Sequence, residues 1–130
     1  MKIIFLSLMI VLAGFTSCSQ NKSDIEGIWK ITTKMANKPP TVNYIMFNKD
    51  NTFKMGIDSL GNKIEGVNLE GTWNVTNEGE IKIIPPANSG DPAYYVKIGD
   101  NQYKYTYFDK NGVKTKFTLT DPEWYLDKVK

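Results

Sequence analysis

From residue 27 onward the chain is written in period two, which confines it to β-structure with one buried face. "GIWKITTKM" (27–35) sets Trp29, Ile31, Thr33 and Met35 against Lys30, Thr32 and Lys34. "TFKMGID" (52–58) sets Phe53, Met55 and Ile57 against Thr52, Lys54 and Asp58, and "LEGTWNVT" (69–76) puts Leu69, Gly71, Trp73 and Val75 on one side. Such alternation fits a sheet with a core on one face and water on the other. Turn residues divide these runs at "ANKPP" (36–40), "NKDN" (48–51), Ser59 to Asn62, "NEG" (77–79), "ANSGDP" (87–92), Asp100-Asn101 and "DKNG" (109–112). Further runs are "VNYIMF" (42–47), the weak, edge-like "KIEGV" (63–67), "EIKIIPP" (80–86), "AYYVKIG" (93–99), "QYKYTYF" (102–108) and "VKTKFTLT" (113–120). No convincing amphipathic helix interrupts them. The reading is all-β: an antiparallel up-and-down meander of about 8–10 short strands, closed into a small barrel or strongly curved sheet, since closure removes exposed edges.

The ionisable residues exclude whole chemistries. The chain has 16 basic and 14 acidic residues, and every basic residue is Lys, so there is neither a basic excess for nucleic acid nor the bidentate guanidinium fork. Histidine is absent, which removes His acid–base catalysis, Ser-His-Asp triads and His-containing zinc sites. Glu65, Glu70, Glu78 and Glu80 cluster in sequence but form no recognisable catalytic pair. The expectation is a protein that is not an enzyme and holds neither metal nor cofactor.

The first residues give an address. Lys2 and the apolar run "IIFLSLMIVLAGF" (3–15) have the layout of an export signal and fall short of the roughly 20 residues of a membrane span. The run ends in "FTSC" (15–18), and Cys18 is the chain's single cysteine, so no internal disulfide can form. "FTSC" resembles the lipobox of bacterial lipoproteins, with Phe15 in the place of the usual Leu. The resemblance implies cleavage before Cys18 and acylation of that residue, which anchors the chain to a membrane. Three acyl chains would hold firmly where one holds marginally. The expected organisation is a signal over residues 1–17, the lipidated Cys18 with a polar tether to residue 24, and one β domain over 25–130. No acidic run follows Cys18, and the expected location is the outer membrane, facing the periplasm.

"IEGIWKIT" (25–32) recurs as "LEGTWNVT" (69–76). A Gly-x-Trp on the first strand of a β meander is similar to the lipocalin pattern, in which the Trp crosses the closed end of the barrel. The set of Cys18, Gly27-Trp29, Asp50 to Phe53 and Gly71-Trp73 resembles the small lipocalin-like lipoproteins of Gram-negative envelopes. The Thr-Asp-Tyr motif, late Arg and C-terminal helix of full lipocalins are missing. The resemblance implies a fold more than an activity. The phrase reads better as recurrent geometry than as duplication, because the flanking sequences differ: a glycine where the strand bends, and a tryptophan covering the space its missing side chain leaves.

Trp29 and Trp73 are therefore expected in the core. Tyr103, Tyr105 and Tyr107 share one face of a strand, and three hydroxyls facing a dry interior would need three partners. They are the first candidates to line a cavity or mouth, with Tyr44, Met46, Phe53, Met55 and Phe117 as co-liners suited to an apolar or amphipathic small molecule. The competing reading is a solid-cored accessory module that meets another envelope protein. Asp58-Ser59-Leu60 also resembles an O-glycosylation pattern of some Gram-negative envelope proteins, which would place a glycan on Ser59.

Overall fold

The computed structural model describes residues 22–118 and 122–129. The expected signal, Cys18, the tether up to residue 21 and the last residues of the "VKTKFTLT" strand lie outside the described residues. The described chain begins with a single helical turn, α1 (Lys22–Ile25), which overlaps the end of the segment expected as tether. Nine strands follow: β1 (Gly27–Met35), β2 (Lys38–Phe47), β3 (Thr52–Leu60), β4 (Lys63–Val75), β5 (Ile81–Ile84), β6 (Ala93–Gly99), β7 (Gln102–Lys110), β8 (Val113–Lys116) and β9 (Glu123–Lys128).

Each of β1 to β7 pairs antiparallel with the next, and β9 pairs with both β7 and β1. This is a closed eight-stranded up-and-down barrel, the first of the two forms expected from the sequence. β8 is the ninth strand and lies outside that ring. β7 shares its second edge between two partners: β9 takes Gln102 to Lys104, and β8 takes Tyr107 to Lys110. Between them the amide of Phe117 donates to the Thr106 carbonyl at 2.8 Å.

Two details depart from the expected boundaries. The runs 63–67 and 69–76 form one continuous strand, β4. The Pro39-Pro40 pair begins β2 instead of breaking the chain. These prolines lie beyond the β3 pairing, which covers only Tyr44 to Phe47, so their missing N–H groups cost no ladder bond on that edge.

One end of the barrel is filled by aromatic rings. Trp29, Phe47, Trp73 and Tyr103 are all buried, with Phe47 5.0 Å from Trp73 and 6.5 Å from Trp29, and Tyr103 5.5 Å from Trp29 on its edge. α1 lies at this end. The Trp29 indole donates to the Ile25 carbonyl at 2.7 Å, and the Trp73 indole donates to the Asn48 carbonyl at 3.0 Å. A lysine lies over each indole, Lys128 at 5.0 Å from Trp29 and Lys22 at 5.5 Å from Trp73. Lys128 also donates to the carbonyls of Asp24 and Glu26, tying the last strand to the entry of the first.

The two Gly-x-Trp copies do different work. Gly27 has φ 122°, a conformation that side chains resist. At Gly71 the constraint is space: a Cβ would fall against the Ile84 carbonyl oxygen and 2.7 Å from Phe53 Cε1. Phe53 pairs directly with Gly71, so the ring covering the missing side chain belongs to Phe53 and not, as expected, to Trp73.

Beyond Gly56 the β3–β4 ribbon has no third strand, and it folds back. Its register breaks between Met55 and Gly56, Gly66 has φ 63°, and a Cβ on Gly56 would lie 2.6 Å from Ile64 Cγ2. Asn62 at the tip borders the same outer depression as Gly27, Ile28, Met46 and Lys49. The ribbon thus covers part of the outer surface of β1 and β2 and explains why Ile28, on the outward side of β1, is buried.

Gly71→Ala is expected to lower unfolding stability by about 1–3 kcal/mol through overpacking. Gly99→Ala, where the nearest neighbour of a Cβ is 4.0 Å away, should change it by less than about 0.5 kcal/mol. Urea titrations of both variants check the contrast.

Candidate functional site

On β1 to β3 the inward side chains shrink from the closed end toward the other. Along β1 the series is Trp29, Ile31, Thr33; along β2 it is Phe47, Ile45, Asn43; along β3 it is Phe53, Met55. The upper half of the barrel is consequently hollow. A cavity of about 240 Å³ opens there, lined by Ile31, Thr33, Asn43, Met55, Tyr95, Tyr105, Phe117 and Trp124.

One wall is aromatic. Tyr105 packs edge-on to Tyr95 at 5.5 Å and to Phe117 at 4.8 Å, and lies 5.4 Å from Trp124, which meets Phe117 at 5.5 Å. The opposite side supplies Thr33, Asn43 and Met55. None of the eight lining side chains is charged. Among the described residues, the Tyr103 hydroxyl is the buried side-chain polar atom left without a partner. Burial pushes the ionisation of the Tyr95 phenol well above its ordinary value, with the neighbouring Tyr105 adding to it, and burial raises Tyr105 and Tyr103 in the same direction. The cavity therefore presents neutral donors and acceptors on an apolar wall, which suits orientation of a small molecule more than proton transfer.

Of the residues expected to line a cavity, Met55, Tyr105 and Phe117 meet there. The others lie elsewhere. Tyr103 packs in the closed end under Trp29, and Phe53 is fully buried against Gly71. Tyr44 and Met46 alternate with the buried Ile45 and Phe47 and so lie on the outer face, beside the back-folded ribbon. Tyr107 is turned outward because the register shifts between Tyr94 and Tyr95: Tyr94 opposes Tyr107 while Tyr95 opposes Tyr105, leaving Thr106 as the extra residue of a bulge. Ser59 lies partly exposed on the ribbon, where its amide donates to the Asp58 carboxylate at 2.8 Å.

Sequence reasoning missed Ile31, Thr33, Asn43, Tyr95 and Trp124 as liners. Ile31 and Thr33 share the Trp29 face, so their inward direction was readable, and Asn43 has the parity of Ile45 and Phe47. What was hidden is the depth at which each sits.

The outward Tyr107 joins a polar cluster that fastens β8. Lys114 lies 4.8 Å from the Tyr107 ring and 4.7 Å from the Tyr94 ring, and its ammonium donates to buried Glu80 at 2.6 Å. The Tyr94 hydroxyl donates to Asp109, which also pairs with Lys82 at 3.5 Å. The hydrogen bond to Glu80 holds the Lys114 ammonium above its ordinary range. No group of three or more metal-ligating side chains is found among the described residues.

Comparison with protein-family models, curated proteins and solved structures finds no match, so the site is read from its own geometry.

Folding raises the ionisation of both Tyr95 and Lys114, so each stabilises the protonated fold below its unfolded value. That stability is lost as pH climbs past 10.0, where an unfolded Tyr begins to ionise. Unfolding free energy is expected to fall steeply above that pH, and Tyr95→Phe should flatten the fall; denaturant titrations at a series of alkaline pH values measure the slope.

Proposed function

We propose that this protein is a membrane-anchored, lipocalin-like lipoprotein of a bacterial cell envelope that binds a small apolar or amphipathic molecule and performs no catalysis. The cavity carries this reading: about 240 Å³, walled by Tyr95, Tyr105, Phe117 and Trp124, with Asn43 and Thr33 as polar points. An apolar recess with a few fixed polar groups is the ordinary form of a small-molecule site. Its volume lies somewhat below the ~300–1,000 Å³ of drug-sized sites, which favours a compact ligand. The "FTSC" lipobox supports acylation of Cys18 and placement in the outer membrane facing the periplasm. The lack of His and Arg, and the use of Cys18 for the anchor, support the absence of an enzymatic role.

A second reading has its own observation. The back-folded β3–β4 ribbon exposes Ile57 (64 %) and Leu60 (70 %), large apolar side chains on an outer surface. These favour an envelope protein as partner, with the barrel as scaffold.

Native mass spectrometry of protein purified from the membrane fraction is expected to show a copurifying small molecule. Titration with candidate ligands should change tryptophan fluorescence saturably, and Trp124→Phe should remove most of that change, because Trp29 and Trp73 are sealed in the closed end. No bound species and no saturable change would overturn ligand binding. Separately, Cys18→Ala is expected to abolish labelling by radioactive palmitate and release the protein from the membrane; a labelled variant would overturn the anchor.

A further inference from the structure

Lys22, where the described chain begins, and the cavity lie toward opposite ends of the barrel, and this geometry bears on where a ligand comes from. Residue 22 is held at the closed end: its ammonium donates to the Lys49 carbonyl at 2.7 Å and to the Asn51 side chain, and lies over Trp73. Four residue steps separate Cys18 from Lys22, a reach of at most about 14 Å at roughly 3.6 Å per step. The cavity lies toward the opposite end, where the paired Thr33 and Trp124 line it. From Gly27 to Met35, β1 climbs about 20 Å along the barrel axis, taking ~3.3 Å per residue and a tilt near 40°. A mouth pressed to the bilayer would hold Lys22 farther from it than the tether can span.

The lining adds a second constraint. A fatty acid needs a cation for its carboxylate and a long dry channel for its chain. Among the described residues none that line the cavity is charged, and the barrel below it is filled by Trp29, Phe47, Trp73 and Tyr103. What it offers is an aromatic wall with neutral phenol, amide and hydroxyl groups.

We propose that the cavity takes a water-soluble, uncharged molecule of single-ring size from the aqueous side, and not an acyl chain drawn from the membrane that anchors it. The inference rests on the anchored, ligand-binding reading above. It makes the bilayer a mooring for the protein and leaves the mouth turned into the compartment.

The test uses the full anchored chain reconstituted in phosphatidylcholine vesicles containing a headgroup-quencher lipid. With Cys18 consumed by acylation, one introduced cysteine is the sole labelling site. A dye on Lys49→Cys, at the closed end, is expected to be quenched several-fold more than one on Lys38→Cys, at the β1–β2 turn. Equal quenching, or the reverse order, overturns the orientation. Release of both labelled proteins into the supernatant overturns the anchor itself, and with it this proposal. In the same vesicles, benzyl alcohol added to the aqueous phase is expected to bind saturably in ligand-observed NMR. Thr33→Trp, which fills the cavity, and Asn43→Leu, which keeps its volume and removes a polar group, should each weaken binding about tenfold. Laurate bound more tightly than benzyl alcohol, or benzyl alcohol binding untouched by both variants, overturns the ligand class.

Discussion

Phe47 sits between Trp29 and Trp73, and the rest of the barrel is arranged around that contact. Large aromatic side chains bury more apolar area than any others, and here Trp29, Phe47, Trp73 and Tyr103 close one end of a small domain. The cost of burying two indole N–H groups is met locally, by the Ile25 carbonyl of α1 and the Asn48 carbonyl of the β2–β3 turn. Those acceptors explain why α1 folds against the barrel and why the 48–51 turn is held so closely: the Trp73 amide also donates to the Asn51 carbonyl at 2.9 Å. A plug, a turn and two strand starts are thereby fixed by a few rings.

The same concentration of bulk accounts for the hollow at the other end. A short barrel has a limited set of inward positions. Once Trp, Phe and Tyr occupy those nearest α1, the remaining ones carry Thr33, Asn43 and Met55, which cannot meet across the interior. The aromatic wall opposite them remains partly uncovered. Along β1 to β3, cavity and plug are thus two ends of one size gradient.

Much of this was legible in the sequence, and each failure has a physical cause. Alternation identified the strands, their inward faces and the closure because each strand has a buried and a wet side. Parity, however, survives only until a bulge. One additional residue at Thr106 inverts every assignment after it, which is how Tyr107 leaves the series begun by Tyr103 and Tyr105. The break beside Gly56 acts otherwise: its extra residue is Asn68 of β4, so Ile57 keeps the parity of Phe53 and Met55 but lies on the ribbon beyond the β2 pairing and faces solvent. Tyr44 and Met46 failed differently: their parity with respect to Ile45 already placed them outside, and their aromatic and sulfur chemistry outweighed it. Depth along the barrel, which separates Tyr103 from Tyr105, depends on pairing between distant strands and has no local signature.

The bond from Lys128 to the carbonyls of Asp24 and Glu26 has a mechanical side. It clasps the last strand to the segment through which the chain enters the barrel, at the end where residue 22 emerges. A pull on residue 22 meets this clasp and the α1 plug before it reaches the β1–β9 ladder, which runs from Trp29 to Lys34. The half of the barrel that encloses the cavity lies behind this clasp and is shielded from tension applied at the chain's entry.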